Sequence, residues 1–190
     1  MAEYLKIGEI ELRPLEPDDF NLLYKWENEI DAWISSNCSA PFSRHALWQY
    51  LQNYNCDIYA THEVRMIVLH AGKAVGMVDV FNFDALNSRA EVGVFVDKAH
   101  RRSGLGEVAL RIAVENYAFG RLNLNQVYCT IRRSNEAALA LFRQAGFTGE
   151  TVLAQWISAG NGVFEDAVIM QRFSNRSPQP SRSPDSSSRP

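Results

Sequence analysis

Between residues 89 and 119 the hydrophobic pattern changes period across a short, basic, glycine-bearing hinge, and few architectures accommodate that change. Glu91-Val92-Gly93-Val94-Phe95-Val96 alternates as a strand does, with Glu91, Gly93 and Phe95 on one face and the three valines on the other. From Ser103 to Phe119, Leu105, Val108, Ala109, Ile112, Ala113 and Tyr117 fall on one stripe of a long helix. A strand that hands over to such a helix implies a sheet with helices packed on it. The hinge itself, Arg101-Arg102-Ser103-Gly104-Leu105-Gly106, removes side chains at 104 and 106, so successive amide N–H groups can converge on one point. That point attracts an anion. The partial positive charge at the helix start adds to the attraction, Arg101 and Arg102 supply cations, and a pyrophosphate suits the loop. The spacing R-x-x-G-x-G lacks the G-K-[ST] ending of a P-loop and is not G-x-G-x-x-G. Taken alone, it reads more readily as a glycine-rich turn with solvated arginines.

The surrounding chain supplies the rest of a mixed sheet. Ile7, Ile10 and Leu12 predict a short first strand limited by Pro14, and Pro17, Asp18 and Asp19 open a helix carried by Phe20, Leu23, Tyr24 and Trp26. A second helix is predicted from Ser43, with Leu47, Tyr50, Leu51 and Tyr54 at helical spacing. The polar, aromatic connection Asn28–Phe42 between them is long enough to line a substrate cleft. VRMIVLH, AGK and AVGMVDVFN read as a hairpin, RAEVGVFV and QVYCTIR as further strands, and TVLAQWIS-GNG-VFEDAVIMQRF as a closing hairpin. Asn135 to Ala145 is a predicted helix, begun by a capping asparagine and stopped at Gly146. The expected fold is mixed α/β: a mostly antiparallel sheet with helices on both faces.

Residues 1–173 are expected to form one domain, because 190 residues leave little room for a second. The last 17 residues hold seven Ser, four Pro and three Arg without a hydrophobic side chain, so 174–190 is expected to stay disordered. Without that basic tail the body carries 16 basic against 21 acidic residues, which disfavours a polyanion binder. No apolar run reaches the roughly 20 residues of a membrane span, and the start lacks a secretory apolar stretch; a soluble, cytoplasmic chain is expected. Cys38, Cys56 and Cys129 show no C-x-x-C spacing, and His45, His62, His70 and His100 no ligand spacing, so neither a disulfide framework nor a metal site is indicated.

The runs ELRPLEPDDF, RAEVGVFVDKAHRRSGLG and NEAALALFRQAGF, with the ending Phe164-Glu165-Asp166, resemble the GNAT superfamily of N-acetyltransferases over residues 7 to 173. Within it they resemble bacterial spermidine N-acetyltransferases and ribosomal-protein N-terminal acetyltransferases. The resemblance implies that acetyl-CoA is the co-substrate. Its pyrophosphate would be held by Arg101, Arg102, Ser103, Gly104, Leu105 and Gly106, its pantetheine arm by Val94, Phe95 and Val96, and the arm's other side by Asn135 and Phe142. An edge-strand amide would then stabilise the oxyanion as an amine attacks.

An amine with a solution pKa near ~10.4 must lose a proton before attacking, and Glu91 is the candidate base. A glutamate paired to Arg89, or merely solvated, explains the same residue about equally well. Many relatives have a tyrosine that protonates the leaving thiolate; Phe142 occupies its place and has no proton to give. Water or another hydroxyl, such as that of Tyr128, remains open as the source. Glu27, Glu29, Asp31, Asp79 and Asp84 are candidates for carboxylates that would pair with a polyamine, and Trp26, Trp33 and Trp48 for an aromatic wall beside a larger amine or a peptide N-terminus. Cys129 has no base near it in sequence, so direct attack in a ternary complex is expected rather than an acyl-enzyme. The alternative is a non-catalytic acetyl-CoA sensor or interaction module. Partners expected are the amine acceptor, with neither membrane nor nucleic acid; a homo-oligomer is left open.

Overall fold

The computed structural model describes residues 3–29 and 40–175. The expected tail beyond Asn175 and the central part of the 28–42 connection, with Asp31, Trp33 and Cys38, lie outside the described residues. The elements are β1 (Lys6–Ile7), β2 (Ile10–Pro14), α1 (Phe20–Glu27), α2 (Arg44–Asn53), α3 (Ile58–Thr61), β3 (Val64–His70), β4 (Lys73–Asp84), β5 (Arg89–Val96), α4 (Leu105–Arg111), β6 (Gln126–Arg132), α5 (Glu136–Gln144), β7 (Thr148–Gly160) and β8 (Val163–Phe173).

Eight strands form one sheet in the order β1-β2-β3-β4-β5-β6-β8-β7. Every neighbouring pair is antiparallel except β5 and β6, which run parallel because α4 carries the chain back across the sheet between them. The hairpins arise where the hydrophobic alternation predicted them. Alternation also explains the two cores. Val78, Val80, Ala90, Val92, Val127, Cys129 and Met170 face α4 and α5, burying Leu105, Ala109, Leu110 and Leu139 with them. Ile67 and Met77 face the other way, against Leu23 and Trp26 of α1 and Leu47 and Leu51 of α2. Helices therefore cover both faces, as the sequence predicted.

Two features differ from the sequence reading. The long helix is α-helical only to Arg111 and continues as a π-helix from Ile112 to Arg121, a form that the spacing of its apolar residues does not signal. The short helix α3, capped by the Asp57 side chain on the Tyr59 N–H, was not anticipated, because four residues are too few to show a period. Among the described residues no helix is long and apolar enough to cross a membrane.

Candidate active site

The parallel pair β5–β6 is short: only Arg89↔Gln126, Ala90↔Val127 and Glu91↔Tyr128 are in register, and beyond Tyr128 the strand β6 pairs on its other side alone, with β8. From Val92 onward β5 therefore has no strand on that side. The phase of the β4–β5 ladder decides which backbone groups face the opening. The Asp97 N–H donates to the Val75 carbonyl at 2.9 Å, and in an antiparallel ladder every second residue bonds to the same neighbour. Phe95 is thus turned toward Met77 on β4, while Val94 and Val96 direct their N–H and C=O groups into the gap. This corrects one expectation: Phe95 offers a ligand no main-chain bond there, and its ring packs against Trp26, centroids 5.5 Å apart.

At the end of β5 the glycine-bearing hinge forms the turn that its composition suggests. Arg102 and Gly104 both adopt left-handed backbone, φ +62 and +79, and Gly104 is the N-cap of α4. Its missing side chain would point into open space, with no atom within 4 Å, whereas a side chain at Gly106 would meet Leu141 Cδ2 at 3.3 Å and Val96 Cγ2 at 3.4 Å. One glycine thus opens the loop outward, and the other lets α4, α5 and β5 close together behind it. The first-turn amides of α4 have no intrahelical acceptor and sit where the helix dipole is positive. The two arginines differ. Arg101 folds back, its Nε donating to the Val96 carbonyl at 2.9 Å and its guanidinium lying 5.8 Å from the Phe95 ring, while Arg102 is exposed. The Ser103 hydroxyl donates to the His100 carbonyl, which fixes the turn.

Asp97 anchors the loop's approach. Its carboxylate accepts from Lys25 Nζ at 2.9 Å and Trp26 Nε1 at 3.1 Å, and these bonds, the lysine's first, hold its pKa down at about 2. Asn135, on the far side of the gap, accepts the Ala138 N–H with its side chain at 3.1 Å, so that oxygen caps α5. Glu165 and Asp166 act at the same turn: Glu165 accepts the Ser134 N–H at 2.8 Å, and Asp166 pairs with Arg133. Phe142 departs from a lining role. It is only 4% exposed and packs edge-on against Phe147, ring centroids 5.0 Å apart, so it belongs to the core beneath the gap.

On the α1–α2 face of the sheet, a cleft of about 680 Å³ opens beside the last β5–β6 pair. Glu91 lines it with Tyr50, Asp79, Phe81, Tyr128 and Trp156. The Glu91 carboxylate accepts from Asn82 Nδ2 at 3.0 Å, while Arg89 pairs with Asp84 at 3.2 Å, so the Arg89 explanation for Glu91 is set aside. Asn82 reaches Glu91 because it stands in left-handed conformation, φ +49, at the register shift between Phe81 and Asp84.

Most of the expected polyamine-binding carboxylates are already engaged. Arg65 bonds Glu27 through Nη1 and Asp79 through Nε at 2.7 Å and Nη2 at 2.9 Å, beneath the Tyr50 ring. Asp84 is held by Asn87 in a surface turn. Glu91 and the exposed Glu63 keep the cleft anionic, and the Glu27–Arg65–Asp79 group adds one net negative charge. The aromatic wall also differs from expectation: Trp26 is fully buried and Trp48 lies out on α2, edge-to-face against Phe20. Among the described residues the tryptophan in the cleft is Trp156, 63% exposed on β7. Its position in a long hairpin far along the chain gave no hint of this; only the closure of β7 and β8 onto β6 brings it there. Cys129 is buried, which pushes its thiol up to about 12. No group of three or more metal-ligating side chains occurs among the described residues.

Comparison with known proteins accords with this geometry. Residues 9–148 match the acetyltransferase (GNAT) domain family. The chain is 26% identical over 170 residues to the spermidine N(1)-acetyltransferase of Escherichia coli K12, covering 88% of this chain and 87% of that protein. It shares its fold with a spermidine N-acetyltransferase from Vibrio cholerae crystallised with CoA and spermine, at a TM-score of 0.78 and 23% identity over 87% of this chain and 95% of the other. It likewise shares its fold with a ribosomal L7/L12 α-N-protein acetyltransferase in complex with coenzyme A, at a TM-score of 0.76 and 18% identity over 89% and 97% of the two chains.

Proposed function

The chain belongs to the GNAT acetyltransferase family, and we propose that it moves the acetyl group of acetyl-CoA to a primary amine by direct attack within a ternary complex. The observation that carries this reading is the parting of β5 from β6 immediately after Glu91 and Tyr128. It leaves the Val94 main-chain groups and the Val96 N–H without a strand partner, between a loop suited to a pyrophosphate and a cleft suited to a cation. The substrate supplies a carbonyl already activated as a thioester.

The remaining work falls to the chain. The amides of Arg102 to Gly106 and the exposed Arg102 side chain bind the pyrophosphate; Gly104 leaves room for its close approach. Val94 and Val96 bond the pantetheine arm as a missing strand would, and an N–H of β5 at the opening receives the oxyanion. Asn135 and Phe142 act indirectly, one by capping α5 and the other by supporting the floor of the gap. Glu91, on the cleft face, draws in the ammonium form of the acceptor and takes its proton, directly or through a water. Cys129, buried and protonated at neutral pH, does not serve as an acyl carrier.

The acceptor is a polyamine-like small molecule or a peptide N-terminus. The anionic cleft favours a cation, and Tyr50, Phe81 and Trp156 offer surface to the methylenes or side chain that carry it. A functional cleft with a carboxylate at the gap favours an enzyme over a sensor. Incubation with acetyl-CoA and a panel of polyamines, N-terminal peptides and aminoglycosides, followed by thiol release and product mass, tests the reading. Turnover with at least one amine is expected; tight acetyl-CoA binding without turnover on any of them would leave a sensor.

A further inference from the structure

Glu91 and Tyr128 are register partners, and they are the last pair before the two strands separate. Paired residues of adjacent strands send their side chains to the same face, roughly 5 Å apart at the backbone. Both line the cleft. Asn82 joins them: its Nδ2 donates to Glu91 Oε2 at 3.0 Å, which holds the carboxylate on the cleft face beside Tyr128. Phe142 has no proton to donate and is buried. Thr130, the next residue of β6 on this face, is an aliphatic alcohol and a weaker acid than a phenol.

We propose that Glu91 and Tyr128 form a proton relay that carries the proton of the attacking amine to the departing sulfur. The proposal rests on the acetyl-transfer reading above. The ammonium form of the acceptor first loses one proton, which leaves to solvent by way of Glu91; as the neutral nitrogen then bonds to the thioester carbon, its second proton passes to the Glu91 carboxylate. When the C–S bond breaks and sulfur keeps the electron pair, Tyr128 gives its hydroxyl proton to the thiolate and takes one from Glu91. The products are the amide, the free thiol and the one proton released to solvent, with the carboxylate and the phenol restored, and no other reactant is needed.

The two residues need each other. A phenol is a weaker acid than a thiol of pKa near ~8.5, so Tyr128 alone would deliver its proton uphill; a carboxylic acid behind it is a stronger acid than the thiol, so the overall transfer runs downhill. Burial first, and then the charge of Glu91, raise Tyr128 above its ordinary 10.0, so the hydroxyl is protonated at neutral pH. The charged groups of β5 that face it are Glu91 and Arg89, of which Arg89 opposes the rise; β4 contributes Asn82 and β8 the neutral Gln171.

The test is a double-mutant cycle on kcat. Tyr128→Phe keeps the ring and should lower kcat about 10²-fold while acetyl-CoA affinity and thermal stability stay near those of the parent. In a relay the losses do not multiply, so Glu91→Gln with Tyr128→Phe should be no slower than the slower single variant. A 3-fluorotyrosine at 128, a stronger acid, should move the alkaline fall of kcat to lower pH. Multiplying losses, a parent-like Tyr128→Phe variant, an unmoved alkaline limb, or a loss traced to weaker acetyl-CoA binding would each overturn the relay while the parent's turnover keeps the acetyl-transfer reading intact. A parent inactive on every amine would instead remove that reading, and the relay with it.

Discussion

Replacing Gly76 by alanine should both destabilise the protein and weaken its hold on acetyl-CoA, because β4 and β5 approach too closely there for any side chain. A Cβ at 76 would stand 2.2 Å from the Phe95 carbonyl oxygen and 3.1 Å from the Val96 Cα. Real Cβ contacts essentially never fall below 3.0 Å, so the backbone must give by close to 1 Å, and the neighbouring atoms are main chain that cannot rotate away. A shift of that size compromises the 2.9 Å bond from the Asp97 N–H to the Val75 carbonyl and the adjoining Phe95–Met77 pair. Two or three ladder bonds at about 1 kcal/mol each, with residual strain of about 1 kcal/mol, give a loss of roughly 3 kcal/mol. The displaced segment is the lead into the 101–106 loop, so affinity for acetyl-CoA should fall as well. Denaturant unfolding and calorimetric titration measure the two effects. A variant within about 0.5 kcal/mol of the parent, with unchanged affinity, would refute the argument from close approach.

Gly104→Val contrasts with this. It meets no neighbour, so the variant should fold with only the penalty of a left-handed residue, about 1–2 kcal/mol, yet titrations should show acetyl-CoA affinity reduced at least about tenfold as the side chain obstructs the pyrophosphate. Glu91→Gln should lower kcat about 10²-fold, most severely at low pH where the acceptor holds its proton, with little change in KM for acetyl-CoA; steady-state rates across pH check this. Asp97, held at about 2 against an ordinary 3.8, stabilises the fold fully above pH 4, and its contribution is lost as pH falls from 4 toward 2. Thermal melts of Asp97→Asn should therefore lie below the parent at pH 7 and converge with it near pH 2.

Strands and hairpins were legible because alternation of two residues is a strong local signal, and the glycine pair at 104 and 106 marked the turn before α4 correctly. What the sequence hid depends on contacts between distant segments. Arg65 silences Glu27 and Asp79 only because α1, β3 and β4 meet, and no spacing between those positions announces it. Tryptophan in general is drawn to cores, so composition could not tell that Trp26 would be buried while Trp156 reached the cleft. Phe95 illustrates a finer limit. Periodicity assigns its side chain to a face, but the direction of its main-chain groups follows from the phase of the ladder with β4, which pairing alone reveals. Asn82 reaches Glu91 through a bulge, and a single left-handed asparagine leaves no pattern in the chain.

Amide hydrogen exchange with and without acetyl-CoA tests the central claim most directly, since it reads the proposed donors themselves. Added acetyl-CoA should slow exchange at residues 102 to 106 and at Val94 and Val96, while β3 and β7 remain unchanged. Unaltered exchange at both the loop and the open edge of β5, at acetyl-CoA concentrations up to the millimolar range, would contradict the account.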